Sequence, residues 1–306
     1  MTTTTETPAP VRHSGRVDLV ATSLDALHHG AGTSGNTSLL RTQDIIDPHS
    51  GHHARVPYVS GSSLRHMLRA ALARHLVRSI DLQPRSVSKA AVDLLWSGGA
   101  LTSVGANVDL DILRQVEDIL PGLSLLGYSA GNTMSPGKLR VDNLHLLCAE
   151  NMWRAPSTMT GLPAASLRAG ALRDSAFGTR HDAAGDPVAR QVLDPDGDVG
   201  TSQMIWDYEV VKPGAMWWTA LHVDEVTLME LAALHTAVVE ASEGIDEHGN
   251  RLWRLAAKGA SGHGRVAVTF VGDGIAHSWP DPVDAYTAHC EERRTEIFEL
   301  IGRLTG

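Results

Sequence analysis

The stretch Arg55–Arg78, RVPYVSGSSLRHMLRAALARHLVR, decides how the rest of the chain is read. An extended run, Arg55-Val56-Pro57-Tyr58-Val59, meets Ser60-Gly61-Ser62-Ser63 and turns into a helix. Short serine oxygens accept hydrogen bonds from the free amides of a first helical turn, so the serines mark a helix start. Leu64, Leu68, Ala71, Leu72 and His75 recur at helical spacing and give one apolar stripe. Arg65 and Arg69 stand one turn apart beside that stripe, near the N-terminus, where the macrodipole disfavours cations. Two arginines placed there are either a solvated helix face or a clamp for phosphate, which the free amides also attract.

Charge supports a local polyanion site. The chain has 306 residues and a net charge of −9. Between Gly51 and Ala90 there are seven basic residues and one acid, Asp81, so that segment is +6 and the remainder carries −15. A basic face on an acidic body suits a protein that binds one polyanion in one groove. Hydrophobic residues make up 42% and charged residues 20%, as in ordinary globular proteins. The two cysteines, Cys148 and Cys290, offer no disulfide framework, which points to a reducing cytoplasm. No apolar run is long enough to span a bilayer, and MTTTTETPAP lacks a signal peptide's apolar core.

Outward from the helix, Arg16–Ser23 alternates as a first strand and leads into a long glycine- and histidine-rich connection. Helices are expected over Val87–Trp96 and Asp109–Leu120, the second stopped by Pro121-Gly122. Leu123–Leu147 reads as a loop and then a strand. Residues 150–201 mix proline, glycine, arginine and acidic turns without periodicity, so a protruding loop is expected. Strands over Ser202–Val211 and Ala215–Val223 flank the turn Lys212-Pro213-Gly214. Asp224 is expected to cap a helix reaching about Ser242. A glycine-rich turn then enters a last strand, and Tyr286–Leu304 is one more helix. Without the insertions the order is β-α-β-β-α-β, an α+β class on the ferredoxin-like, RRM-like plan. The domain expectation is a disordered tail over 1–15, then one domain over 16–306 with insertions at 24–57, 81–122 and 150–201. Aromatics make up only 5%, and the aromatic motif of RNA-recognition modules is missing, so backbone contacts are expected to dominate.

Two chemical motifs fall away on inspection. Gly30-Ala31-Gly32-Thr33-Ser34-Gly35 spells G-x-G-x-x-G, but no helix opens after it and no strand ends in an acid at the right distance. The loop histidines His28, His29, His49, His52 and His53 lack metal-ligand spacing and have no nearby cysteine. No cofactor and no metal are expected.

PYVSGSSLRHMLR resembles the P-x-I-P-G-S-S-L-K-G-x-x-R motif of the RAMP superfamily, the repeat-associated proteins of CRISPR systems. Pro57, Gly61, Ser62, Ser63, Leu64 and Arg69 match, Arg65 stands for the usual lysine, and His66 replaces a glycine. Leu27, His28, Gly30 and Gly32 resemble the family's segment after its first strand. Leu139, Val141 and Leu144 fit its G-x-L-x-V region, and Lys258 to Val266 its C-terminal glycine-rich loop. The resemblance implies a backbone subunit, of the seven-type and of a type IV effector complex. Several copies would stack head to tail along one crRNA guide, with other effector subunits, presenting the guide to target nucleic acid. It places RNA on Asn36, Arg41, Ser62, Ser63, Arg65, Arg69, Lys258, His263 and Arg265, and on a thumb bearing Arg168, Arg173 and Arg180.

The resemblance also bears on catalysis. Target-cutting relatives have an aspartate a few residues before the D-P and P-G-S-S-L elements, and counting back from Asp47-Pro48 the matching position is Arg41. Arginine cannot transfer the proton, so no catalytic residue is assigned. Asp44 and Asp47 read as loop-capping acids. The rival readings are an endoribonuclease of the same superfamily, with His28, His29 or His263 as candidates, and a nucleotide-dependent enzyme built on GAGTSG.

Overall fold

The computed structural model describes residues 11–100, 109–131, 133–180, 204–271 and 281–306. It has the expected α+β character. β1 (His13–Ser23) alternates because every second side chain, Val17, Leu19 and Ala21, turns into the main core. β2 (Gly30–Ser34), β3 (Thr37–Leu40), β4 (Thr42–Ile46) and β5 (His53–Val59) follow, so the long connection expected over 24–57 is instead built of antiparallel strands. Small and polar residues hid them, because edge strands need bury little.

Helix α1 (Gly61–Ser79) buries the predicted stripe of Leu64, Leu68, Ala71, Leu72 and His75. α2 (Lys89–Ser97) and α3 (Leu110–Ile119, capped by Asp109) come where the periodicity predicts them. α3 stops before Pro121-Gly122 as expected, and a second, unforeseen helix starts there. Proline at a first helical position costs no hydrogen bond, and a fully buried turn, α4 (Pro121–Leu126), begins there. β6 (Tyr128–Ala130) pairs with β7 (Thr133–Ser135), and β8 (Leu139–Val141) and β9 (Leu144–Leu146) return to the main sheet.

The expected protruding loop divides. Residues 149–172 form three 3-10 turns over Ala149–Arg154, Pro163–Ser166 and Ala169–Leu172. Met159 and Ala165 pack with Leu147 and Trp218 in a second small core, so this part is not a protrusion. Only β10 (Arg173–Arg180) and β11 (Met204–Val211) leave as a hairpin, whose tip lies outside the described residues. β12 (Met216–Val226) runs past Asp224, and Thr227 with Glu230 forms the capping box of α5 (Leu228–Glu240). An unforeseen hairpin, β13 (Ser242–Ile245) and β14 (Arg251–Arg254), precedes β15 (Arg265–Val271). The single C-terminal helix is two, α6 (Pro282–Glu292) and α7 (Arg294–Thr305), with the break at Arg293, which ion-pairs with Asp118 at 2.7 Å. Of the expected tail, residues 1–10 lie outside the described residues. Residues 13–15 belong to β1, and Arg12 meets Glu117 at 2.6 Å.

The main sheet has nine strands in the order β13-β14-β15-β1-β12-β9-β5-β4, with β8 also on β12. Its edges are β13, which is bulged between Ser242 and Gly244, and β4, where Asp44 pairs with Arg55. The central strands β15-β1-β12-β9 are antiparallel throughout, with α1 between β1 and β9 in the chain and α5 between β12 and β15. A second sheet, β10-β11-β3-β2, stands beside it.

Candidate nucleic-acid interface

The entry to α1 is built by close approach. Ser60 caps the helix by accepting from the Ser63 amide at 3.3 Å, and the Gly61 amide donates to Asn143 Oδ1 at 2.8 Å. A Cβ on Gly61 would lie 2.2 Å from the Val141 carbonyl oxygen, so only glycine lets α1 meet β8. Ser62 and Arg65 face outward at this entry. They line two adjoining recesses, of about 830 and 360 Å3, which share Ser62, Arg65 and Pro136. Arg16, Arg140 and His222 close the larger one as a cross-strand row.

The two arginines differ. Arg65 donates to the carbonyls of Leu126 (2.6 Å) and Pro136 (3.0 Å) and stays half-buried at the groove. Arg69 is 9% exposed and donates to the carbonyls of Leu126 and Gly127 at the C-terminal end of α4. A helix C-terminus favours cations, so Arg69 joins α1 to α4. Burial, and then the charge of Arg65, push its guanidinium down to about 10. Of the expected phosphate pair, Arg69 is therefore engaged inside the fold, and Arg65 remains at the surface.

A second cluster gathers around the glycine-rich loop. Lys258, held in left-handed backbone (φ 65), places its ammonium 4.0 Å from the Tyr208 ring centre. The Tyr208 hydroxyl is hydrogen-bonded to His263 Nε2 at 2.7 Å. Buried His28 donates from Nδ1 to the Glu209 carbonyl at 2.6 Å, which leaves Nε2 to accept from Ser38 Oγ at 3.2 Å. Arg265 is exposed and 3.5 Å from Asp25. Exposed Asn36 sits at the β2–β3 turn, where its carbonyl accepts from the Asp207 amide. His29 connects this cluster to the α1 entry: its Nε2 accepts from the Ser60 amide at 3.2 Å, and its carbonyl accepts from the Arg41 amide.

No protein-family model and no curated protein matches the sequence. A solved structure described as a Type IV-B CRISPR complex contains a chain that superposes with a TM-score of 0.59. That alignment covers 88% of this chain and 95% of the other, at 18% identity. The two chains share one fold. Csc2 of Thermofilum pendens is also similar, with a TM-score of 0.39 and 12% identity over 96% of this chain and 78% of its own.

On this Type IV-B-like fold the remaining predicted residues scatter. Arg41 is exposed between β3 and β4, with Nε 3.5 Å from the Gly30 carbonyl. Asp44 is a strand residue paired with Arg55 at 3.3 Å, not a loop cap. Asp47 is a cap: Ser50 Oγ and the His49 amide donate to it and hold its carboxyl below the usual range. Arg168 is exposed before the third 3-10 turn, Arg173 is half-buried at the start of β10, and Arg180 lies at its far end, so these three do not join the α1 groove. Among the described residues no group of His, Cys, Asp and Glu is placed to hold a metal. Sequence reading missed Tyr58, His145, Tyr208, Arg16, Arg140 and His222, because only strand register brings them to the site.

Two half-buried imidazoles give the region a pH signature. Burial, and then Arg41, push His29 down to about 4, while burial and then Arg154 do the same to His145. Below pH 6.5 the unfolded chain takes up protons on both rings, and the folded chain takes them up only near pH 4. Stability therefore falls as pH drops through that window. A Tm series from pH 7 to 4 should show this loss, and replacing both histidines by asparagine should flatten it. An unaltered slope in the double variant would assign the acid loss to other groups.

Proposed function

We propose that the chain is a non-catalytic backbone subunit of a CRISPR effector ribonucleoprotein, of the RAMP superfamily and of type IV, that holds guide RNA. The observation that carries this reading is the α1 groove. Arg65 and Arg140 line it with no carboxylate partner among the described residues, on a fold shared with a Type IV-B CRISPR complex chain. Cations left unpaired at an open groove are what a phosphate backbone neutralises. The order β15-β1-β12-β9, with α1 and α5 as the crossovers, supports reading the core as ferredoxin-like. Residues 149–172 pack over Leu147 and Trp218 on the sheet face opposite the helices, unlike the open face of an RNA-recognition module. Copies would meet head to tail, an open-ended symmetry. The thumb would be the β10–β11 hairpin, where Phe177 is 73% exposed.

Purified protein should bind guide-length RNA, and Arg65→Ala should reduce the slope of log affinity against log salt by about one, the share of one phosphate contact. A slope equal to wild type would make Arg65 a solvated residue. In the same preparation, the assembled complex with matched target RNA and magnesium should yield no fragments, given Arg41 at the position of a catalytic carboxylate. Cuts at regular spacing would overturn the non-catalytic reading, and Asp44→Ala would identify whether that acid supplies the proton transfer.

A further inference from the structure

On the sheet face opposite the helices, four strands place one residue each in a single cross-strand row. Val20 is registered with Trp218, Trp218 with His145, and His145 with Tyr58. The ladder continues where the Tyr58 amide donates to the Arg41 carbonyl. Registered antiparallel partners project from the same face. Residues one step along, Val59 and Leu144, enter the main core, so the row faces the other way. Residues 149–172 cover its Trp218 end and leave His145, Tyr58 and Arg41 at the boundary of that cover.

The part of the row at that boundary is an aromatic cluster beside Arg41. His145 lies 5.3 Å from the Trp218 ring centre, and His29 meets Tyr58 edge-on at 6.4 Å. Gln43 donates to His145 Nδ1 at 3.4 Å, which leaves Nε2–H as a donor. The Arg41 amide donates to the His29 carbonyl, which sets exposed Arg41 next to these rings, while Arg154 is held by Asn151 Oδ1 at 2.9 and 2.7 Å. A hydrophobic core needs no such arginine, and a phosphate clamp needs no rings.

We propose that Tyr58 and His145 form a seat for one unpaired nucleobase, whose flanking phosphate Arg41 holds. This rests on the RNA-holding reading and adds a base contact to a surface otherwise expected to grip backbone alone. Stacking accepts any base, since every base presents a π face, so the seat imposes spacing on the RNA and not sequence.

The test compares fluorescein-labelled oligouridylate with an oligomer of equal length made abasic at its central positions. Both are titrated against the full-length protein by anisotropy. Wild type should prefer the base-bearing RNA by about 10-fold, the scale of one base on an aromatic ring. Tyr58→Val should erase that preference while leaving the salt slope intact, and Tyr58→Phe should keep it. Equal affinity of wild type for the two RNAs overturns the seat and leaves the RNA-holding reading standing. Failure to bind either RNA overturns that reading itself. As a measurement free of any variant, 4-thiouridine RNA irradiated on the wild-type protein should crosslink to the peptides containing Tyr58 or His145. Crosslinks confined to other peptides overturn the seat.

Discussion

Gly61→Ala should be the most damaging single change at the α1 entry, lowering stability by about 3 kcal/mol, the upper range for overpacking a tight contact. The added methyl would sit 2.2 Å from the Val141 carbonyl oxygen and 2.9 Å from that of Asp142. Both are backbone atoms, Val141 ending β8 and Asp142 following it with its amide bonded to the Ala220 carbonyl, so no side chain can swing aside. The helix start must retreat, and with it the Asn143 bond to the Gly61 amide. Gly161→Ala is the control: nothing lies within 4 Å of its new methyl, and its Tm should stay within a degree or so of wild type, as for most surface changes. Denaturant midpoints of the two variants decide it. Equal midpoints would mean that α1 and β8 part easily.

The second large effect separates the two motif arginines. Arg69→Ala leaves the buried Gly127 carbonyl at the end of α4 without its donor, while Leu126 keeps Arg65, and an unsatisfied buried acceptor costs about 1–3 kcal/mol. Arg65→Ala removes a half-buried guanidinium, and Leu126 keeps Arg69 as a donor. Arg69→Ala should therefore unfold at clearly lower urea, with its residual folded fraction binding RNA on the wild-type salt slope. Arg65→Ala should behave in the opposite way. Arg69→Lys will not rescue, since the lysine chain is one bond shorter and does not carry its nitrogen to where Arg69 Nη2 meets both carbonyls. A stable Arg69→Ala protein that has lost an RNA contact would return Arg69 to the phosphate surface.

The sequence was most legible where a single period governed burial. The α1 stripe, the β1 alternation and the serine cap at Ser60 are local signals, and each holds. Elsewhere long-range contacts hid the structure. Pro121 can stop a helix or start one, and only burial of Leu123, Leu125 and Leu126 decides that it starts α4. Thr227 outcompetes Asp224 as a cap because β12 continues along β1 as far as Val226. The segment over 149–172 has no periodicity, yet Met159 and Ala165 find Trp218 on the back of the sheet. The site follows the same division. Arg65 and Lys258 could be nominated from motifs, whereas His145 and Tyr58 become neighbours only through a register that no local pattern encodes.

The two outer strands of the main sheet have a colloidal consequence. β13 is four residues long, kinked at Gly244, and carries Glu243 in an ion pair with Arg254. At the opposite margin, β4 presents the Asp44–Arg55 pair. Short, bulged or charged margins are poor templates for an incoming chain. At high concentration, with no partner present, neither margin offers a clean nucleus for a shared cross-β ladder, and precipitation by strand addition is blunted on both sides.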